Sequence, residues 1–322
     1  MIRFACKEDI GNIMRFISEH WRENHILSRD RELFEFQHLW KDEVTFVLSE
    51  QQGEIDGLLG YIPYGSGKRD VMLALWKTLK TPDSMLGVKM LDFLRKDPGV
   101  NRISAPGINP RTEPIYQFLG MPTGCMKHWY RLRKGSFYKI ALVRDFQIPE
   151  VSVTDFQIKE CDTFEEFLNF CPEECLMKEH HPYKSFDYLK RRYFFHPSYH
   201  YLKYGICGKG KKLVVILRIQ ECRGSFALRV IDGIGDEELL EYFTSFMDGL
   251  MEQYGCEYAD CYEAGVQAEV MERGGWKLVA ETNNVIPEYF SPFEQRNVEI
   301  YFMSQIPQAV LFKGDGDMDR PN

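Results

Sequence analysis

Apolar residues in the first 132 positions follow two spacings in alternation. Short apolar or alternating runs, typical of strands, predict strands at 2–5, 44–48, 57–64, 70–75, 101–105 and 125–132. Stretches whose apolar residues recur every three or four positions predict helices from Glu8, over 24–40, over 84–96, and up to Leu119, where Gly120 ends the helix. This part of the chain therefore predicts a sheet with helices packed against it.

The second part of the chain repeats that order of elements. Strands are predicted at 156–160, 212–219, 225–231, 258–263 and 276–280, and helices at 164–171, 236–254 and 266–273. The stretch 236–254 has the most regular apolar stripe, which predicts a helix with one buried face. We predict two domains of similar fold at 1–135 and 154–305, joined by a linker at 136–153 and followed by a tail at 306–322.

Composition limits the classes of function. Hydrophobic residues make up 44% of the 322 positions, which is enough for two cores. The net charge of −8 argues against a nucleic-acid partner, and no apolar run reaches the roughly 20 residues of a membrane span. Nine cysteines at scattered spacings predict reduced thiols and a cytoplasmic location.

Two segments resemble metal sites without completing one. The cysteines and histidines at 171–181 begin with one close cysteine pair, but no second such pair follows, as the spacing of a structural zinc site would require. The acidic run 314–319 resembles the start of a calcium loop, but Arg320 stands where that loop needs glycine. We predict no bound metal, and we interpret the tail as either solvated or docked on a domain.

The most informative motif is the segment 82–91, Pro-Asp-Ser-Met-Leu-Gly-Val-Lys-Met-Leu, between a predicted strand and a helix. The first turn of a helix carries unpaired N–H groups and a partial positive charge, which favour a diphosphate, and Ser84 is a candidate N-cap. This order of elements, together with Tyr116 four residues before Gly120, resembles the GCN5-related N-acetyltransferase (GNAT) fold. The resemblance implies α+β or α/β architecture: two tandem domains, each with a mixed, mostly antiparallel, twisted sheet flanked by helices.

The resemblance also implies acetyl-CoA, or another acyl-CoA, as co-substrate. Backbone N–H groups of Leu75, Trp76 and Lys77 would hold the thioester. The diphosphate would lie on the turn and first helical residues, which are Ser84, Met85, Leu86, Gly87, Val88 and Lys89. The family's turn reads Arg/Gln-x-x-Gly-x-Gly/Ala. In this chain Gly87 is in register, whereas Met85 replaces the other glycine and Pro82 the basic residue.

Tyr116 matches the position at which many GNAT enzymes use a tyrosine to protonate the leaving thiolate of CoA. The alternative is a tyrosine whose ring packs under the sheet. The second half has Met271 at this position, and a thioether donates no proton, so the resemblance assigns catalysis to the first half. The attacking amine must lose a proton, and His25 and His128 are our candidates for the base, each with a structural alternative.

The second half carries its own signature at 192–201, Arg-Tyr-Phe-Phe-His-Pro-Ser-Tyr-His-Tyr. It resembles GNAT-like proteins of bacterial surface-polysaccharide gene clusters. Arg192 can grip a carboxylate or phosphate, and His196 either contacts substrate or sets the turn before Pro197. Asp232 binds a sugar hydroxyl or an amine, or caps a turn. With Arg29, these three residues are the predicted substrate-binding set.

Three functions are compatible with these residues. The leading hypothesis is an acyl-CoA-dependent N-acyltransferase acting on a small polar amine, such as an amino sugar or nucleotide-linked amino sugar of surface-polysaccharide synthesis. The second is a non-catalytic binding or scaffold protein that retains the fold. The third is a transferase that uses aminoacyl-tRNA, which the acidic composition disfavours.

Overall fold

The computed structural model describes residues 1–135, 137–151 and 156–321, and within them it forms two eight-stranded sheets flanked by helices. The strands are β1 Ile2–Ala5, β2 Leu39–Trp40, β3 Glu43–Gln51, β4 Glu54–Pro63, β5 Arg69–Thr78, β6 Val100–Ile108, β7 Thr123–Cys125, β8 Lys127–Leu132, β9 Gln157–Glu160, β10 Leu202–Gly208, β11 Lys211–Cys222, β12 Ser225–Gly235, β13 Cys256–Ala264, β14 Lys277–Leu278, β15 Tyr301–Ser304 and β16 Leu311–Phe312. The α-helices are α1 Ile10–Phe16, α2 Ile26–Arg29, α3 Arg31–His38, α4 Leu86–Arg95, α5 Glu113–Phe118, α6 Phe164–Phe170, α7 Phe186–Leu189, α8 Leu240–Tyr254 and α9 Ala268–Arg273. Positions 136 and 152–155, in and after the predicted linker, and position 322 of the predicted tail lie outside the described residues.

The first sheet has the strand order β1-β3-β4-β5-β6-β15-β7, with β2 paired to β3. Neighbouring strands are antiparallel except β5 and β6, which are parallel. Helices α1, α2 and α3 bury apolar residues such as Ile13 and Phe34 with Leu75 on one face. Helices α4 and α5 bury Met90 and Tyr116 with Leu73 on the other face. Leu73 and Leu75 are two residues apart and would share a face in a regular strand, but they lie on different faces because β5 carries an extra residue between Leu73 and Trp76.

The second sheet has the order β14-β8-β13-β12-β11-β10-β9, with β16 paired to β13, and β12 and β13 are its parallel pair. Helix α8 packs its stripe of Phe243, Met247 and Met251 against this sheet. It ends at Gly255, whose φ of +68° favours glycine. The predicted fold class of two mixed, mostly antiparallel sheets flanked by helices is confirmed.

The two sheets exchange strands. The strand predicted at 125–132 was assigned to the sheet of the first half, and that assignment is wrong for β8, because β8 pairs with β13 and β14 of the second sheet. In its place β15, from near the end of the chain, inserts between β6 and β7 of the first sheet. Each sheet therefore includes a strand from the other half of the sequence. The predicted domain boundaries remain a prediction.

Both parallel pairs separate next to a β-bulge. Pairing of β5 with β6 ends at Met72 and Ser104, and β5 then carries one extra residue between Leu73 and Trp76. Pairing of β12 with β13 ends at Val230, beside a bulge at Ile231. A bulge adds local twist and redirects backbone groups, so each bulge lies where its strand leaves its neighbour. We call these separations the first opening and the second opening.

The protein's own tail fills the second opening. Phe312 of β16 pairs with Glu263 of β13. A Cβ on Gly314 would lie 2.8 Å from the carbonyl oxygen of Ile231, so only a glycine fits this close to β12. The second opening therefore holds chain from residues 311–315, and the tail docks rather than extending into solvent.

Acidic residues of the tail are bound by cations from the body of the protein. Asp315 forms an ion pair with Lys184 at 2.8 Å, and Asp319 forms one with Arg218 at 2.7 Å. Asp319 is buried and also accepts a hydrogen bond from the Tyr201 hydroxyl at 2.7 Å. Although burial raises the pKa of Asp319, the neighbouring guanidinium groups lower it overall, so this carboxylate is ionised. The alternating acids that resembled a calcium loop are paired with protein cations.

Within the described residues, no helix is both long enough and apolar enough to cross a bilayer. All nine cysteines lie in the described part of the chain, and each is a free thiol.

The first prediction concerns the docked tail. Asp319→Ala should lower the free energy of unfolding by about 3–5 kcal/mol, because it leaves Arg218 buried without its carboxylate. Urea unfolding followed by circular dichroism measures this loss. The matched control is Asp42→Ala, which breaks the exposed pair with Lys7 and should change stability little. Similar losses for the two variants would contradict the docking of the tail.

Candidate functional site

The first opening contains a cavity of about 310 Å³. One wall is β5 at 73–76 and another is β6 at 105–108. Tyr116 and Thr112 line it from the α5 side, and Trp21 and Arg22 line it from the α1 side. The tail contributes Asp317, Met318 and Arg320. The cavity thus reaches both faces of the first sheet, because it lies where that sheet is open.

The bulge in β5 determines which backbone groups border the cavity. Beyond Met72, β5 runs beside the cavity instead of beside β6. Backbone N–H groups on that side of the strand have no ladder partner on β6 and need an acceptor from water or a ligand. Leu75 and Trp76, which the sequence predicted as thioester-binding residues, belong to this part of β5 and line the cavity. Lys77 lies opposite Leu58 in the β4–β5 ladder.

Trp76 joins the cavity to the start of α4. Its indole lies against Gly87, where a Cβ would be 3.2 Å from the ring, so the absence of a side chain permits this contact. The ring of Tyr116 is 5.6 Å from that of Trp76, centroid to centroid. Leu75, Trp76, Gly87 and Tyr116 were predicted separately from the sequence, and the structure brings them together.

Tyr116 is positioned to hold a proton at the cavity. Its side chain is 3% exposed, and this burial raises its pKa, so the phenol is protonated at neutral pH. Among the described residues the hydroxyl has no hydrogen-bond partner. The ring packs under the sheet, as the alternative interpretation predicted, and the residue also lines the cavity, while its role as the catalytic acid remains a prediction.

The start of α4 differs in detail from the prediction. The helix begins at Leu86, and the exposed Ser84 does not cap it. Instead the carboxylate of Asp83 accepts the Met85 N–H at 3.0 Å and binds the Lys89 ammonium at 2.6 Å. A diphosphate at this turn must replace that carboxylate, after which Met85 and Lys89 can both donate to it. The Met85 side chain is 45% exposed, Leu86 is buried, and Val88 is half-buried.

The two histidines proposed as bases are in different places. His25 caps α2, where its Nδ1 accepts the Leu27 N–H at 3.2 Å. Burial and the charges of Arg320 and Arg22 lower the pKa of His25 to about 4. His128 lies in the second sheet, where it stacks on Tyr262 and its Nε2 is 3.2 Å from Asp260. The structure does not bring this pair together, and their catalytic roles remain predictions.

The predicted substrate-binding residues of the second half bind the protein itself. Asp232 is buried and accepts from the Lys184 ammonium at 2.7 Å and the Tyr193 hydroxyl at 2.7 Å. Arg192 lies 3.7 Å from the Asp319 carboxylate of the tail. His196 uses Nδ1 to accept the N–H groups of Ser198 and Tyr199, which agrees with its alternative role in setting the turn.

Arg29 is the remaining member of the predicted substrate-binding set, and Met271 is the residue that replaces the tyrosine in the second half. Arg29 is exposed at the end of α2. At the second-half position equivalent to Tyr116, Met271 is fully buried in the core between α8 and the second sheet. Substrate binding by Arg29, Arg192, His196 and Asp232 is a prediction that the structure does not test.

Sequence reasoning missed the residues that reach the cavity from distant parts of the chain. Trp21 is the last residue of a π-helical turn after α1 and Arg22 follows it, Tyr289 comes from a loop before β15, and Arg320 comes from the tail. The alternating acids of the tail were a visible signal, but their partners are brought close only by the fold. No local pattern predicted the bulge in β5.

Comparisons with known proteins identify the fold. No protein-family model matches the chain, and no curated protein matches it. Among solved structures, the chain is similar to a GCN5-related N-acetyltransferase from Anabaena variabilis, with 13% identity and a TM-score of 0.59 over 95% of this chain and 72% of that one. It is also similar to a conserved protein of unknown function from Enterococcus faecalis, described as a probable N-acyltransferase, with 11% identity and a TM-score of 0.58 over 95% and 72% of the two chains. These likenesses show that the chain has the GNAT fold.

The second prediction concerns His25. In the folded protein its pKa is about 4, below the value near 6.5 of an unfolded chain, so unfolding takes up a proton between these pH values. Its contribution to stability is present above pH 6.5 and is lost as the pH falls towards 4. His25→Asn retains an N-cap acceptor and should reduce the slope of unfolding free energy against pH in this window by up to about 1.4 kcal/mol per pH unit. Urea unfolding at a series of pH values tests this, and an unchanged slope would contradict a neutral, buried His25.

Proposed function

We propose that the chain is an acyl-CoA-dependent N-acyltransferase that works in the first opening and acts on a small polar amine. The observation that carries the proposal is the cavity itself. It lies where β5 leaves β6 beside a bulge, with Trp76, Gly87 and Tyr116 around it. The GNAT fold of the solved acetyltransferase from Anabaena variabilis supports the same reaction class.

In this proposal, different residues of the chain bind the thioester, bind the diphosphate and protonate the leaving sulfur. An acyl-CoA, when bound, supplies an activated acyl group as a thioester. Backbone N–H groups of β5 near Leu75 and Trp76 face the cavity side and orient a carbonyl oxygen by hydrogen bonds. The first turn of α4, with Lys89, holds a diphosphate. Tyr116 holds a proton at its phenol oxygen for a leaving sulfur.

The residues at the first opening fit this co-substrate, and those at the second do not. In the second opening Phe312 and Gly314 occupy the space between the strands, and Asp232 is paired with Lys184. In the first opening, Trp76 lines the 310 Å³ cavity and also contacts Gly87 at the start of α4. We therefore confine the proposal to the first half of the chain.

For the acceptor we propose an amino sugar or nucleotide-linked amino sugar used in surface-polysaccharide synthesis. The sequence similarity at 192–201 supports this class of substrate, and the polar residues Asn109, Thr112 and Asp317 along the cavity are compatible with hydroxyl groups. We further propose that the protein works in the cytoplasm, since its nine thiols are all unpaired.

A non-catalytic binding protein is the second candidate. Asp83 holds the Met85 N–H and the Lys89 ammonium that a diphosphate would use, and the candidate base His128 lies in the second sheet. Calorimetric titration with acetyl-CoA separates the two. Absence of both heat and a thermal shift at millimolar acetyl-CoA would overturn the proposed enzyme. Use of aminoacyl-tRNA is a third candidate, and the net charge of −8 argues against it.

The third prediction tests Tyr116. Tyr116→Phe should lower kcat by about a hundredfold or more, because it removes the proton donor, while acetyl-CoA binding is retained. Release of free CoA with a panel of amino sugars measures turnover, and calorimetry measures binding. Tyr204→Phe, which removes a buried hydroxyl bonded to Glu160 in the second sheet, is the matched control. Unchanged turnover in Tyr116→Phe would show that the assigned acid is wrong.

The fourth prediction tests the diphosphate seat. Asp83→Asn should tighten acetyl-CoA binding by about two- to fivefold, because it removes a negative charge from the start of α4 and releases Lys89. The control is Asp92→Asn, which removes an acid of the same helix that pairs with Lys96, farther from its start. Calorimetry gives both affinities. Equal affinities in the two variants would place the diphosphate away from this turn.

A further inference from the structure

The face of the first sheet opposite α4 presents two arginines to the cavity. Arg22 comes from the end of the π-helical turn after α1, and Arg320 comes from the tail. Helices α1–α3 cover this face, whereas α4 packs on the other one. The two arginines therefore lie on the side of the cavity away from the proposed diphosphate seat.

The charges around this part of the cavity do not cancel. Asp317 is the one acidic residue among the described residues that line it. Its carboxylate already receives a hydrogen bond from Gln37 Nε2 at 2.6 Å and forms an ion pair with Arg320. Arg22 is exposed and has no carboxylate partner in the described residues. One positive charge remains unbalanced.

The two guanidinium groups act on a common neighbour. Burial lowers the pKa of His25, and both Arg320 and Arg22 lower it further, which places both within electrostatic range of one imidazole. The Nε2 atom of His25 is buried without a partner in the described residues, and the residue is 5% exposed. Both cations therefore line the cavity on the side of α1–α3, where His25 lies.

We propose that the acceptor amine carries a carboxylate or phosphate group, which the guanidinium groups of Arg22 and Arg320 bind in the first opening. Guanidinium groups bind both kinds of anion through paired N–H donors, and Arg320 has donors left after its contact with Asp317. This inference rests on the proposed function and deepens it, since it narrows the acceptor to amines that bear an anion. It makes Arg22 and Arg320 residues that determine specificity.

Binding can be measured without turnover when CoA replaces acetyl-CoA. Calorimetric titrations of the full chain with CoA use two matched pairs, β-alanine against β-alaninamide and glucosamine 6-phosphate against glucosamine. The anionic member of at least one pair should bind about tenfold more tightly than its neutral partner. A preference in the first pair identifies a carboxylate, and a preference in the second identifies a phosphate.

Variants locate the effect. Arg22→Gln and Arg320→Gln should each abolish the preference for the anion while CoA affinity is retained. Arg15→Gln changes an exposed arginine of α1 that bonds to Asn12, and it should preserve the preference. Arg320→Gln also loosens the tail. Arg22 is exposed, so Arg22→Gln tests the preference for the anion without disturbing the fold.

Three outcomes would count against the inference. Equal binding of anionic and neutral members, or no binding of either anion while CoA binds, overturns it and leaves the proposed function standing. A preference that survives in Arg22→Gln also overturns it. Failure of CoA itself to bind overturns the proposed function and the inference with it.

Discussion

The separation of two parallel strands is the constraint on which the rest of this structure depends. Once β5 leaves β6, or β12 leaves β13, backbone polar groups along the edges need new partners, because buried N–H and C=O groups are costly when unpaired. The protein meets this need differently at its two openings. In the second half β16 supplies a strand from the same chain, and in the first half a cavity remains. One fold repeated twice thus gives one closed opening and one that can accept a ligand.

Charge pairing explains how the tail closes the second opening. A buried carboxylate is tolerated only when cations and hydrogen-bond donors surround it. Asp315 has Lys184, and Asp319 has Arg218 and Tyr201. These contacts hold residues 311–319 between the halves, and the same segment then passes the first opening. The tail that closes the second opening at 311–315 therefore also lines the first opening, with Asp317, Met318 and Arg320.

The first opening joins two faces with different chemistry. On one face lie the start of α4, Trp76 and Tyr116, which suit a thioester and its diphosphate. On the other lie Arg22 and the tail, which suit a charged acceptor. Under the proposed function, the co-substrate and the acceptor would approach from opposite faces of the sheet and meet beside the bulge.

The sequence alone determined the alternation of strands and helices, the repetition of the fold, and the places of Gly87 and Tyr116 within their helices. These features depend on apolar periodicity and on glycine positions, which are local properties of the chain. The tertiary structure decided the exchange of β8 and β15 between sheets, the bulge in β5 and the docking of the tail. Arg192 and Asp232 show why. A sequence does not reveal whether an arginine or an aspartate binds a substrate or forms an ion pair within the protein. The outcome depends on contacts between residues more than a hundred positions apart, as between Arg218 and Asp319, and no local sequence pattern specifies such contacts.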